Sequence, residues 1–374
     1  MNSQAEKVIK MPANEPNINE IKKKNNIRQR SKKVNVDKIT LAHGSGGKAM
    51  RDLIDDVFVG TFESEELSKL EDQARFDLND LSKFGDRLAM TTDSYVVDPL
   101  FFPGGDIGKL AVTGTVNDLA VGGAIPLYLT CSMIIEEGFL IADLRKIVKS
   151  MKITADEAGV SIVTGDTKVV HRGAADKLFI NTAGVGVIPQ YVNISSNRAQ
   201  PGDVIIINGY VGDHGAAIVD ARGEMSLQNT IETDCQTLNG LIQLMLSVCA
   251  DIHCMRDATR GGIATVLNEY ATASNVCMHL DEGALPIRNE VRGMCEILGL
   301  DPLYLANEGK LIAIVPAEFA EQVLETMKTH KSGIESAIVG KVTESPSGGV
   351  ILNTTFGGKR MVDMLVGEQL PRIC

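Results

Sequence analysis

The sequence predicts an α/β (α+β) protein of two domains, and three observations carry that prediction. The 374 residues are 44% hydrophobic, enough to bury more than one core. Apolar runs of strand type alternate with helical spacing from residue 86 onward. The alternation then restarts after Pro201, Gly202 and Asp203, a turn-forming triplet between two folded units.

The elements can be justified in order. "DRLAMTTDSYVV" (86–97) reads as a strand ending in polar residues, and "DIGKLAVTGTVNDLAVGGA" (106–124) has helical spacing that stops at a glycine pair. "LYLTCSMII" is a strand, 140–158 an amphipathic helix, "VSIVTGD" a strand ending in an acid, and "KLFINTAGVGVI" another strand. Beyond the triplet, "DVIIING" is a strand, followed by helices near 212–222 and 234–250. A helix at 260–274, the strand "VCMHLD", a helix at 287–298, the strand "KLIAIVP" and a helix at 317–329 come next. Short strands near 336–342 and 349–353 close the pattern. The expected division is an N-terminal domain at 37–196, a C-terminal α+β domain at 197–358 and a flexible tail at 359–374.

Residues 1–36 hold nine Lys or Arg against three Glu and almost no apolar periodicity, so they read as a disordered basic extension. That extension lacks the apolar stretch of a signal peptide, and no later run of about 18 apolar residues predicts a membrane span. A net charge of −11 argues against a general affinity for nucleic acid. Aromatics at 4% and the absence of Trp argue against a base-stacking platform. Seven cysteines without a CxxC pair fit free thiols in a reducing cytoplasm. Cys131, Cys249, Cys277 and Cys295 lie in apolar segments and read as small core residues.

The acids of the first domain are not placed like surface charge. Asp93 follows the strand "LAMTT", Asp118 interrupts an Ala/Val/Leu helix, and Asp166 ends the strand "VSIVTG". A carboxylate in such a helix is costly to bury unless something pairs with it. Converging acids of this kind suit Mg²⁺, which takes carboxylate oxygens together with nucleotide phosphate oxygens. The loop "HGSGGK" supplies backbone N–H groups at Gly44, Ser45, Gly46 and Gly47, then Lys48, at the start of a helical segment. It reads as a phosphate cradle without the P-loop spacing. In "RDATRGG", Asp257 and Arg260 stand at the mouth of a helix and suit a further metal or phosphate contact. The chain ends "LPRIC", with Cys374 as its last residue.

Taken together, "TDSYVVDPLFFPGGDIGKLAVTGTVNDLAVGGAIP", "VTGDTKVV", "RDATRGG", "NEGKL" and the final "PRIC" resemble the HypE family of hydrogenase maturation proteins. That family belongs to the ATP-using superfamily of aminoimidazole ribonucleotide synthetase and selenophosphate synthetase. The likeness runs from about residue 40 to 374, and the terminal PRIC is its most specific element. Residues 1–36 fall outside it.

The resemblance implies a two-domain aminoimidazole ribonucleotide synthetase-like fold whose N-terminal domain binds ATP and Mg²⁺ and dimerises. It implies an ATP-dependent carbamoyl dehydratase: Cys374 carries a carbamoyl group as a thiocarboxamide, and ATP drives its dehydration to a thiocyanate. A HypF-type carbamoyltransferase would load the thiol. A HypC–HypD complex would receive the cyanide for the iron of a [NiFe] hydrogenase. Carried over residue by residue, Cys374, Lys168 and Glu308 are catalytic, the last two as candidate bases. The nucleotide site gains Asn117, Thr167 and Arg260, and the metal set is Asp93, Asp118, Asp166 and Asp257. The tail reads as a mobile tether, about 25 Å long when extended, with Pro371 stiffening it, Arg372 guiding docking and a thiol pKa near 8.5. A selenophosphate synthetase is the nearest alternative, but "HGSGGK" holds no Cys. A small-metabolite kinase or synthetase gives no role to PRIC, and a non-catalytic ATP-regulated scaffold is the rival of another class.

Overall fold

The computed structural model describes residues 33–223, 231–367, 370 and 372–374. Most of the basic extension, residues 1–32, lies outside them, as does Pro371. The phosphate-cradle loop leads into α1 (Lys48–Leu53), which continues through a wider turn to Phe62 and buries Leu53, Val57, Phe58 and Phe62.

A four-stranded sheet follows, built from β1 (Arg87–Tyr95), β4 (Ile125–Glu136), β5 (Ser161–Val170) and β6 (Leu178–Ile188). Two short strands, β2 (Phe101–Phe102) and β3 (Gly105–Asp106), pair with each other beside it. The sheet order is β1-β6-β4-β5, with β4 and β5 parallel and the other pairs antiparallel. The mixed pairing agrees with the glycine content of these strands.

The helix α2 (Ile107–Val121) starts where the Asp106 carboxylate accepts the amides of Gly108 (2.7 Å) and Lys109 (3.1 Å). Only Lys109 and Asp118 of its residues escape full burial, so the helix is enclosed rather than amphipathic. A Cβ on Gly114 would sit 2.3 Å from the Tyr95 hydroxyl, so glycine lets α2 press onto β1. The amphipathic helix α3 (Ile141–Ala158) joins β4 to β5 and stops at Gly159, whose φ of 72° is left-handed.

The second sheet has the order β13-β12-β9-β11-β7-β10-β8. Its strands are β7 (Val204–Ile207), β8 (Cys254–Asp257), β9 (Cys277–Asp281), β10 (Leu311–Val315), β11 (Ala337–Thr343), β12 (Gly349–Asn353) and β13 (Lys359–Met361). The helices are α4 (Asp213–Ala221), α5 (Asn239–Val248), α6 (Gly262–Ser274), α7 (Asn289–Leu298) and α8 (Ala320–Lys328). Successive isoleucines of β7 serve opposite faces. Ile205 and Ile207 join Leu267 and Tyr270 of α6, whereas Ile206 joins Leu241 of α5 and Val323 of α8. Ala120 and Val121 at the end of α2 enter that latter core, tying the two sheets together.

The end of the chain departs from expectation. Residues 359–361, assigned to the tail by the sequence, pair with β12 as β13. Ile373 is 6% exposed and packs into the core beneath the first sheet. No helix among the described residues is long and apolar enough to cross a membrane.

Candidate functional site

Asp93 lies on β1 with its side chain toward α2, on the same face as the buried Tyr95. The adjacent Thr91 hydroxyl donates to Asp118 Oδ2 at 2.9 Å, linking β1 to the one acid of α2. From the second sheet, Asp257 ends β8 and is buried. Burial, then the neighbouring Asp118, push its carboxyl up to about 7, and burial raises Asp118 as well. Two carboxylates that hinder each other's ionisation are a donor pair that a cation would relieve.

Arg260 follows in the loop before α6, its guanidinium 3.6 Å from Asp93, and it lines one cleft with Cys374, whose charge raises its pKa. That loop turns through Gly261 and Gly262, with φ of +72° and +59°, values suited to glycine. Arg256 points elsewhere, to Glu269.

The "NEGK" loop precedes β10 and is built from buried polar groups. Asn307 donates to the carbonyls of Ala258 (2.9 Å) and Leu305 (3.0 Å), and its Oδ1 accepts from Gly212 N at 2.7 Å. Asp234 accepts the amides of Glu308 (2.9 Å) and Gly309 (3.3 Å), and its charge is matched by Lys310 at 3.1 Å. The Glu308 side chain is left over. It is 3% exposed, and its Oε1 has no hydrogen-bond partner. Burial, followed by the charges of Asp234, Asp257 and Asp93, raises its carboxyl well above the usual range. A general base works best with its pKa near the working pH, and burial moves this carboxyl upward toward that range.

Cys374 completes this group. Its terminal oxygen accepts from Val96 N at 3.1 Å, and its side chain is half-buried among Arg260, Glu308 and Asp93. Burial and the Glu308 charge push the thiol up to about 12. The expected value near 8.5 therefore does not apply to this docked position, because the sulfur has left water. The tail, Arg260, Ser94, Val96 and Tyr304 line a cleft of about 290 Å³.

The structure corrects the single metal set. Asp166 pairs in register with Ser132, and Asp93 with Thr182 and so with Cys131, one row away and on the opposite face. β1 and β5 are also the two edges of the sheet, about 14 Å apart at three strand spacings. Asp166 thus stands on the outer face with Lys168, whose Nζ lies 2.9 Å from it. Among the described residues no group of three or more His, Cys, Asp or Glu is arranged to hold a metal. Asp118 and Asp257 still suit Mg²⁺, which takes one or two carboxylates with phosphate oxygens rather than a full protein cage.

Other expected contacts fall away from the thiol. Thr167 is buried and Asn117 is 1% exposed. The Asn117 amide donates to Gln236 O (3.1 Å) and Glu308 O (3.4 Å), and its Oδ1 accepts from Leu238 N (2.8 Å). It is a structural tie under the "NEGK" loop, its amide engaged by backbone groups. Lys48 pairs with Asp52, Ser45 donates to Ala42 O at 3.1 Å, and a Cβ on Gly44 would lie 2.8 Å from Val169. The loop of Gly44, Ser45, Gly46, Gly47 and Lys48 therefore sits on the β5 side with Asp166 and Lys168.

Sequence reasoning missed Asp234 and Lys310, a buried ion pair with side chains 2% and 6% exposed. Asp234 fell in a stretch read as helix, which gave no sign that a loop would turn its carboxylate onto backbone amides. Lys310 stands in "NEGK", where nothing local marks it as the partner of Asp234.

Comparison with known proteins places the fold in a family. The AIR synthase related protein N-terminal domain family matches residues 71–188, and the corresponding C-terminal domain family matches 200–353. The carbamoyl dehydratase HypE of Rhodobacter capsulatus is 54% identical over 338 residues, covering 90% of this chain and 98% of that protein. A crystal structure of hydrogenase maturation protein HypE in complex with ATP superposes with a TM-score of 0.85 at 49% identity, covering 89% of this chain and 99% of that one. A HypE–HypF complex structure matches with a TM-score of 0.73 at 47% identity, covering 84% and 99%. Two sheets in the order of these domains and likeness over nine-tenths of the chain at this identity lead to one conclusion: the chain belongs to the HypE family of AIR synthase-related proteins.

Proposed function

We propose that this chain is an ATP-dependent carbamoyl dehydratase that carries its substrate on its own C-terminal thiol. The observation that carries the reading is the docking of Cys374 beside Arg260 and Glu308, a buried acid with a spare carboxylate oxygen. The name of the Rhodobacter relative and the ATP in the related crystal structure support the same chemistry.

The thiocarboxamide S–C(=O)NH₂ on Cys374 has a poor leaving group in its oxygen. Transfer of the γ-phosphoryl group of ATP to that oxygen, with loss of one amide proton, gives an imidoyl phosphate and ADP. Breaking the C–O bond with loss of the second proton releases phosphate and leaves S–C≡N. Glu308 is placed to take these protons, and Arg260 to balance negative charge beside the sulfur. Asp118 and Asp257, with Asp93 beside them, would hold Mg²⁺. When bound, the ion neutralises phosphate charge.

Lys168, Asp166 and the Gly44–Lys48 loop stand apart from the thiol within one chain. A homodimer through the outer face of the four-stranded sheet gives them a place, with Lys168 as a phosphate contact. That face leaves Leu88, Met90 and Ile134 exposed at 58%, 71% and 43%, more apolar surface than a solvated sheet face usually shows. The partners are a HypF-type carbamoyltransferase, in line with the related HypE–HypF structure, and a HypC–HypD complex that accepts the cyanide. The thiol chemistry suits a reducing, cytoplasmic setting.

The test is ADP release from protein with and without a carbamoyl group on Cys374. Release only by the carbamoylated form supports the dehydratase. Equal turnover by both forms points instead to a scaffold or a synthetase acting on another substrate.

A further inference from the structure

The end of the chain is fastened by hydrogen bonds that do not involve the reacting sulfur. Asp98 N donates to Arg372 O at 3.4 Å, and Arg372 Nε donates to Val96 O at 3.0 Å, so the tail runs along the segment after β1. The Arg372 guanidinium also pairs with Asp176. Two side chains reach this segment from α4 and the turn after it. His214 Nε2 lies 2.8 Å from Ile373 O, and Arg222 Nη2 donates to Arg372 O at 3.0 Å while its Nε donates to Asp98 O at 3.1 Å.

His214 is fully buried, and the Phe102 ring meets it edge-on at 5.7 Å. Burial lowers its pKa, which favours the neutral ring. A neutral imidazole has one donor and one acceptor. Thr233, whose oxygen accepts from Cys235 N at 3.1 Å, is 2.8 Å from Nδ1 and supplies a hydroxyl proton to it. Nε2–H is then left to donate to the Ile373 carbonyl. Departure of the tail would strand that donor in the interior, where it is costly to leave unmade. Ile373 itself fills the core below.

We propose that His214 and Arg222 are positioning residues that dock the C-terminal segment and thereby hold the Cys374 sulfur at Arg260 and Glu308. They act through the Ile373 and Arg372 carbonyls. The benefit to catalysis rests on the dehydratase reading, whereas the docking itself does not.

The test is the rate at which iodoacetamide labels Cys374 in the full-length protein, followed by intact and peptide mass. The other six cysteines are buried, so their silence reports an intact fold. His214→Phe keeps the ring and removes the donor, and labelling should rise about tenfold, the effect of losing one hydrogen bond. His214→Gln restores an N–H near the Nε2 position and should return labelling toward the wild-type rate. Arg222→Met, at a half-buried site, should also raise labelling and carries the test should the core substitution unfold the chain. In the double variant, ATP-dependent loss of water should slow while carbamoyl loading continues. Unchanged labelling in Arg222→Met and in folded His214→Phe would overturn the proposal, as would a glutamine variant labelled as fast as the phenylalanine one. Labelling needs neither ATP nor a carbamoyl donor, so a chain inactive as a dehydratase would still report on the docking.

Discussion

Replacing Glu308 by glutamine keeps the shape of the side chain and removes its ability to accept a proton. The structure makes this substitution informative because Glu308 is 3% exposed, has an unpartnered Oε1 and lies near enough for its charge to raise the Cys374 thiol. A positioned base contributes about 10²–10⁴ in rate, or about 3–5 kcal/mol of barrier. Dehydration of carbamoylated enzyme, followed by quenched flow and intact mass, should slow by that factor. Loading of the thiol should not change. Stability should move the other way. The folded state raises the Glu308 carboxyl above its ordinary 4.5, so below that pH both folded and unfolded chains are protonated and the acid costs nothing. As pH rises the unfolded chain ionises first, and wild type loses stability that the glutamine variant keeps. The melting temperature of Glu308→Gln relative to wild type should therefore climb between pH 4 and neutrality. A dehydration rate equal to wild type, or a variant that loses ground as pH rises, would refute the role assigned to this residue.

Three further outcomes follow from the same geometry. Asp118→Asn and Asp257→Asn should each raise the Mg²⁺ needed for ATP turnover by about 10–100-fold, read from metal titrations, and unshifted titrations would remove the pair from the metal site. Asn117→Ala should lower stability by about 1–3 kcal/mol in thermal melts, since it cuts the ties to Gln236, Leu238 and Glu308; a wild-type melt would contradict its structural role. The double change Leu88→Asp and Met90→Asp should turn a dimer into monomers in sedimentation, and a species unaltered by it would move the interface elsewhere.

Much of the fold was legible because periodicity is a local property. The helices α2, α3 and α6 begin and end within a few residues of their predicted bounds, where Asp106, Gly159 and Asn275 cap or stop them. The motifs also pointed to the thiol and to Arg260, which line one cleft, and to Glu308, Asp93, Asp118 and Asp257, whose charges act on one another and on that thiol. What could not be read was which strand stands next to which. The order β1-β6-β4-β5 puts Asp93 and Asp166 at opposite edges, and no local pattern carries strand order. Asn117 and Thr167 were misassigned for a related reason. A polar residue beside a motif looks available in sequence, yet here each points into the interior. The docking of the tail depends on contacts such as His214 with Ile373, 159 residues away in sequence, which leave no mark on either segment alone.

The central claim is that Cys374 carries the carbamoyl group and then the cyano group. Its most direct test is the intact mass of the protein after incubation with a carbamoyltransferase of the HypF type, carbamoyl phosphate and ATP. The mass should rise by one carbamoyl group and then fall by one water as this protein turns over ATP. Cys374→Ala should show neither change while still binding ATP, since the proposed nucleotide contacts lie in other segments. A carbamoyl group accepted elsewhere on the Ala variant would contradict the account.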